Sequence, residues 1–354
     1  MNKAKIAIIG YGGMGEYHSS RIKNTDTLEL AGVWDINESR NTYARSKGLR
    51  VFKNADDILN ADIDGVIIAT PNDSHLDYVE KFLNAKVGVM VEKPAAMDSK
   101  ELAKMIKAAD TTDTPFTVNQ NRRYDADYLT AKEIIKQNLL GGVYRIESCV
   151  VGGNGIPEGW RKCKKQGGGM MLDWGVHLID QMLLITESCV KRIFCKYCYV
   201  TDNEVEDGFW LELEFDNGLS ARIVVETNTF VPVDRWRICG YNGTAQISTW
   251  DLKGKIVRPK TGDSTEHEGM RAGNGFTRTM AYKPASEIIT EDLPKVRTNS
   301  DEIFKGDSLY DNFSKMLLSG ETSIVKPVEL MRVMKVMESA EKSARIGKAI
   351  EGTF

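Results

Sequence analysis

Short and almost uninterrupted apolar runs punctuate the first 120 residues, at 6–9, 28–34, 65–69, 87–91 and 115–119. Runs of this length without polar alternation suit strands covered on both faces, so they predict a parallel sheet. The stretches between them carry helical spacing. Ser99 precedes Leu102, Met105, Ile106 and Ala109 and is the expected N-cap of one crossover helix. Beyond Asn121 the texture changes. The spacing predicts a helix over 127–138, a strand over 143–151, a glycine-rich loop and a helix over 173–184. Runs at 209–215, 219–226 and 236–240 then alternate or cluster β-formers. They are separated by Asp216-Asn217-Gly218 and Tyr241-Asn242-Gly243, whose Asn-Gly steps signal hairpins and hence a largely antiparallel second sheet. Residues 259–305 are polar and without a readable period, and 328–344 carry a closing helix. The expected fold class is α/β, with one domain over 1–121 and a second over 122–354.

Composition changes this picture little but excludes several functions. At 354 residues the chain is long enough for two cores, and 42% hydrophobic with 27% charged residues is ordinary globular usage. A formal charge of -3, with no basic stretch interleaved with aromatics, gives no footprint for nucleic acid or an anionic membrane. The first apolar run breaks at Gly10, too early for a signal peptide or membrane span, so cytoplasmic residence is expected. Six scattered cysteines do not make a disulfide framework. Cys195 and Cys198 form a CxxC, but on the strand read there an offset of three points them to opposite faces. No metal site is expected.

The first run ends in Gly10-Tyr11-Gly12-Gly13-Met14-Gly15 and is followed by a helix-forming stretch. A GxGxxG in that context is a dinucleotide loop: Gly10 permits the tight turn, Gly12 lets backbone approach the pyrophosphate, and Gly15 allows close helix packing. Gly13 and Met14 complete the loop. Asp35, twenty residues after Gly15, ends the second run and is followed by Ile36 and Asn37 rather than an arginine. Its carboxylate would accept from ribose hydroxyls and repel a 2'-phosphate, so NAD is the expected cofactor, although Arg40 is within reach of a phosphate.

Three further stretches carry a family likeness: Ala69-Thr70-Pro71-Asn72-Asp73-Ser74-His75, then Glu92-Lys93-Pro94, then Gly167-Gly168-Gly169-Met170-Met171-Leu172-Asp173-Trp174-Gly175-Val176-His177. With the glycine loop, in this order and spacing, they resemble the glucose-fructose oxidoreductase / inositol dehydrogenase / MocA family over essentially the whole chain. The resemblance implies an N-terminal Rossmann domain and a C-terminal α/β domain with a large, mostly antiparallel open sheet. It also implies a homo-oligomer, dimer or tetramer, joined through that sheet, and a sugar, glycoside or cyclitol bound between the domains. Lys93, Asp173 and His177 match the family's functional positions.

These residues suit alcohol oxidation, which needs a titratable group at the hydroxyl. On a helix beginning near Asp173, the carboxylate and His177 four residues on share a face, and Asp180 lies near it. His177 is the expected general base, with Asp173 holding substrate or tuning the imidazole; Lys93, held extended by Pro94, either hydrogen-bonds the reacting oxygen or carries the proton itself. Thr70, Pro71, Asn72, Glu92 and Lys93 fall at strand ends, where cofactor is expected, with His75 and Asn121 as further walls. Of Arg122 and Arg123, Arg123 is the expected inward, substrate-binding arginine. Asn154, Trp160 and Arg161, in the glycine-rich loop, are expected beside the substrate, Trp160 stacking on a sugar face. The same residues would also serve a glycosidase that retains NAD and works by transient oxidation and elimination, or a catalytically silent NAD-binding regulator.

Overall fold

The computed structural model describes residues 3–260, 269–280, 283, 285–296 and 309–354. The N-terminal runs form β1 (Ala4–Ile9), β2 (Leu28–Trp34), β3 (Gly65–Ile68), β4 (Gly88–Val91) and β5 (Phe116–Val118), interleaved with α1 (Gly13–Lys23), α2 (Glu38–Ser46), α3 (Ala55–Leu59), α4 (His75–Asn84) and α5 (Ser99–Thr112). The strands pair in parallel in the order β2-β1-β3-β4-β5. β3 and β4 are buried throughout, which is why their sequences lack polar alternation. Strand order reverses between β1 and β3, and the crevice outside their carboxyl ends is where such a sheet binds ligands. The N-cap of α5 is Asp98, not Ser99: the Asp98 carboxylate accepts from the backbone N–H groups of Lys100 and Glu101.

After α6 (Ala126–Lys136) and β6 (Val143–Val151) the chain forms a π-helical turn, Met171–Gly175, and α7 (Val176–Thr186). β7 (Val190–Cys198), β8 (Gly208–Phe215), β9 (Ser220–Glu226), β10 (Trp236–Gly240), β11 (Gly243–Ile247) and β12 (Gly254–Pro259) follow. Both Asn-Gly steps turn hairpins, β8 into β9 and β10 into β11. β13 (Met270–Ala272) and β14 (Gly275–Thr277) make a separate ribbon, and β15 (Ile288–Glu291) and β16 (Ile350–Glu351) edge the large sheet. Its order is β15-β12-β11-β10-β6-β9-β8-β7-β16, antiparallel except for the β6–β9 pair. Within the polar 259–305 stretch, β13, β14 and β15 are therefore described, while 261–268, 281–282, 284 and 297–305 lie outside the described residues. Almost every residue of α7 is buried, as its apolar sequence demands of a helix packed between the sheet and α9 (Pro327–Ile346).

One helix, α8 (Leu309–Ser319), escapes the sequence reading and packs back on the parallel sheet. Ser314 Oγ donates to the Thr27 carbonyl at 3.1 Å. Leu317 lies so close to Gly88 that a Cβ there would meet its Cδ2 at 2.2 Å. Among the described residues, no helix is long and apolar enough to cross a membrane. Cys195 is buried and Cys198 half-buried, both as free thiols, and no described group of three His, Cys, Asp or Glu side chains could hold a metal ion.

Candidate active site

The glycine loop closes on the switch point of the sheet. Gly10 has φ 88°, and a Cβ there would lie 2.5 Å from the Ala69 carbonyl; one on Gly15 would lie 2.0 Å from the Gly10 carbonyl. Gly12 and Gly13, by contrast, would direct a Cβ into open space. The tight contacts fix the turn, and the open ones leave a backbone surface for a ligand at the N-terminus of α1. That surface floors a cleft of about 660 Å³. Gly10, Met14, Asp35 and Ile36 line its first side; Thr70, Pro71 and Asn72 line the side after β3. Glu92 and Lys93 close it, and Trp160 and Arg161 reach it from the glycine-rich loop. Asp35 accepts from Tyr11 N at 2.6 Å and Asn37 N at 2.8 Å, which holds its carboxylate at the rim. A cradle of open glycines, a helix N-terminus and a fixed rim carboxylate is the donor and acceptor set a dinucleotide requires.

Gly15 packs beneath the loop, in the close-packing role expected of it. Two expected cofactor residues do not line the cleft. Asn121 is half-buried in a 3-10 turn (Asn121–Tyr124). His75 is fully buried, its ring nitrogens 3.0 Å from the carbonyls of Pro94 and Thr70. It braces the loops after β3 and β4 from inside rather than walling the pocket, and burial lowers its pKa.

Lys93 leaves the end of β4 through a cis Lys93–Pro94 peptide, and its Nζ donates to the Asp173 carbonyl at 2.9 Å and Asp173 Oδ1 at 3.0 Å. Arg161 Nε donates to Asp173 Oδ2 at 3.2 Å. Burial opposes the charge on Asp173, but Lys93 and Arg161 outweigh it and hold the carboxyl below its usual range. Glu92, behind Lys93, accepts from Asn119 Nδ2 at 2.7 Å and meets His18 Nε2 at 2.8 Å, while His18 Nδ1 lies 2.8 Å from Tyr310 Oη on α8.

Both oxygens of Asp173 are thus engaged by cations, so it does not orient His177 as the four-residue spacing predicts. Its carboxylate is drawn instead to Lys93, from the end of β4, and to Arg161, from the glycine-rich loop. Glu206 Oε1, accepting from Met171 N at 2.8 Å, anchors the start of the π-helical turn. His177 is buried, and its Nδ1 has no hydrogen-bond partner. Burial first, then the charges of Lys93 and Arg122, push its pKa well below the ordinary histidine value, so the imidazole is neutral at physiological pH.

The inward arginine is Arg122, not Arg123. Arg123 Nε and Nη2 grip Asp180 at 2.7 and 2.6 Å, and Nη1 reaches Glu329 at 2.8 Å. This pair ties α7 to α9. Arg122 instead lies 4.1 Å over the Trp174 ring, near His177. Asn154 is exposed and outside the cleft. Trp160, expected to stack on a sugar, lines the dinucleotide cleft with Arg161 4.5 Å over its ring.

Residues 4–120 match the family model described as an oxidoreductase family with an NAD-binding Rossmann fold, and 128–246 match that of the Gfo/Idh/MocA C-terminal domain. The chain belongs to the Gfo/Idh/MocA family. The crystal structure of an NAD-binding protein from Listeria innocua superposes with a TM-score of 0.94 at 37% identity, covering 99% of this chain and 100% of that one. Glucose-6-phosphate 3-dehydrogenase of Bacillus subtilis is 30% identical over 190 residues, 52% of this chain and 54% of the relative. An NADP-dependent scyllo-inositol 2-dehydrogenase of the same species is 23% identical over 359 residues, 98% of this chain and 95% of its own. Gfo/Idh/MocA relatives thus include sugar and inositol dehydrogenases, and not all of them use NAD.

Sequence reasoning missed Trp34, Tyr78 and Gln166 in the dinucleotide cleft, and Trp174, Trp250 and Glu206 around the π-helical turn. Trp174, inside the Asp173-to-His177 segment, was the findable one.

Proposed function

We propose that this chain is an NAD-dependent dehydrogenase that moves a hydride between a secondary hydroxyl of a sugar, glycoside or cyclitol and the nicotinamide. The observation that carries this reading is the Lys93–Asp173 bridge at the mouth of the dinucleotide cleft, with a neutral, unpartnered His177 beside it. Two of the three Lys93 N–H groups are spent on Asp173, which fixes the ammonium and leaves one donor for the reacting oxygen. The neutral imidazole accepts the hydroxyl proton. Asp173 holds Lys93 in place rather than tuning His177. The bound dinucleotide supplies the hydride acceptor. Asp35, held at the rim by two backbone N–H groups, favours the ribose hydroxyls of NAD over a 2'-phosphate. The half-exposed Tyr144, Phe194 and Trp210 on the strands of the large sheet support a second copy of the chain as its partner.

The test is NADH absorbance across inositols, hexoses, glycosides and sugar acids, with NAD and NADP in parallel. Lys93→Ala and His177→Ala should each lower kcat by about a hundred- to ten-thousand-fold with NAD affinity unchanged. Wild-type turnover in both variants would refute the assignment. Release of a glycoside's leaving group without net NADH would replace it with the redox-recycling chemistry.

A further inference from the structure

Beyond Lys93 and His177 the fold assembles an aromatic wall from three separate segments. Trp174 comes from the π-helical turn, Trp250 from the β11–β12 connection and Arg122 from the 3-10 turn after β5. The Trp174 ring centroid is 6.3 Å from that of His177, and the Trp250 centroid is 6.1 Å from Trp174. Arg122 lies 4.1 Å over Trp174 and 5.5 Å from the Trp250 centroid, and the buried Arg235 lies 4.9 Å from Trp250. Asp125 pairs with Arg122 at 2.9 Å and keeps its guanidinium in place. The two arginines therefore hold the indoles rigidly by cation–π contact. Trp174 is half-buried, with Arg122 over its ring, whereas Trp250 remains 48% exposed. The exposed Trp250 indole, one ring beyond the Trp174 that packs against His177, offers a flat apolar surface, and a flat apolar face is what it complements.

We propose that Trp250, aligned by Trp174 and Arg122, is the specificity-determining platform of the substrate site, and that it selects ring-closed polyols, pyranoses and cyclitols with a contiguous C–H face, over open-chain polyols. A pyranose or cyclitol with mainly equatorial hydroxyls presents its axial C–H bonds as one flat face, whereas an open chain loses more conformational freedom to present the same surface. The inference rests on the dehydrogenase reading for the position of the reacting hydroxyl, but stacking itself needs no chemistry. Trp250 acts on which substrate is held rather than on the proton or the hydride.

The experiment compares wild type, Trp250→Ala and Trp250→Phe, each loaded with NAD. Methyl β-glucopyranoside and scyllo-inositol are the ring probes and sorbitol the open-chain probe. Binding is read by saturation-transfer NMR and titration, turnover by NADH absorbance. Trp250→Ala should weaken both ring probes roughly tenfold, shown as KM rather than kcat where turnover occurs, and change sorbitol by less than about twofold. Trp250→Phe should recover most of the loss, which a merely structural role would not give. Equal losses for ring and chain probes, no loss for either, or no ring probe bound by wild type would overturn the proposal. Trp250-dependent ring binding without any NADH would instead overturn the dehydrogenase reading and leave the platform standing. NADH formed from ring substrates with an unchanged KM in Trp250→Ala would do the reverse.

Discussion

Replacing Arg123 with alanine separates a structural arginine from a substrate-binding one. Arg123 is 12% exposed, and its partner Asp180, at 2%, is sealed in α7. Burial disfavours the guanidinium charge, but the Asp180 hydrogen bonds and charge, and then Glu329, more than offset this and raise its pKa. Truncation leaves the Asp180 carboxylate without its bidentate partner, and losing one partner of a buried pair costs about 3–5 kcal/mol. Burial already pushes the Asp180 carboxyl above its usual range, so the orphaned group can relieve itself by taking up a proton. That places the cost near the lower end, about 3 kcal/mol at pH 7, and shrinks it as pH falls. Urea denaturation followed by tryptophan fluorescence from pH 5 to 8 measures it, and Arg123→Ala combined with Asp180→Asn should recover part of the loss. Substrate KM in the folded variant should stay within about twofold of wild type. An unchanged urea midpoint with KM raised tenfold or more would refute the reasoning and return Arg123 to the substrate site.

Other outcomes follow from the loop and the turn that carries Asp173. Gly12→Ala meets open space, so it should keep wild-type stability while weakening NAD binding roughly tenfold, read by titration of NADH fluorescence. Gly15→Ala, whose Cβ would lie 2.0 Å from the Gly10 carbonyl, should lose about 1–3 kcal/mol in urea denaturation whether or not NAD is present. Burial pushes Glu206 up to about 7 despite the hydrogen bond from Met171 N. A folded pKa above the ordinary 4.5 means that its stabilising contribution is complete below pH 4.5 and is lost as pH rises through 7. Glu206→Gln should therefore flatten the pH dependence of the urea midpoint over that window and exceed wild type at pH 8.

The glycine loop was legible because its glycines fall at fixed offsets between a strand and a helix, so a demand on the backbone leaves a mark within a few residues. Asp35 at the end of β2 and Lys93 at the end of β4 were legible for a related reason: uninterrupted apolar runs end where the sheet ends, and ligand chemistry sits just past that edge. The Asn-Gly hairpins and the closing helix followed from turn chemistry and period. α8 was not legible, because its apolar residues gain meaning only from the glycines of the distant β3 and β4 against which they pack. The same limit explains Arg122 and Arg123, adjacent and chemically alike: the choice between them was made by Asp180 and Glu329 on two other helices. It explains Asp173 and His177 as well: the carboxylate is taken by Lys93 and Arg161 from two other segments, on a π-helical turn whose start Glu206 anchors from a different strand connection. The sequence by itself determined the sheet, the dinucleotide loop and the residue types of the site, since backbone geometry constrains neighbours in the chain. Tertiary structure alone decided which charges pair, which imidazole stays neutral and which indoles meet, since these depend on groups brought together from positions far apart.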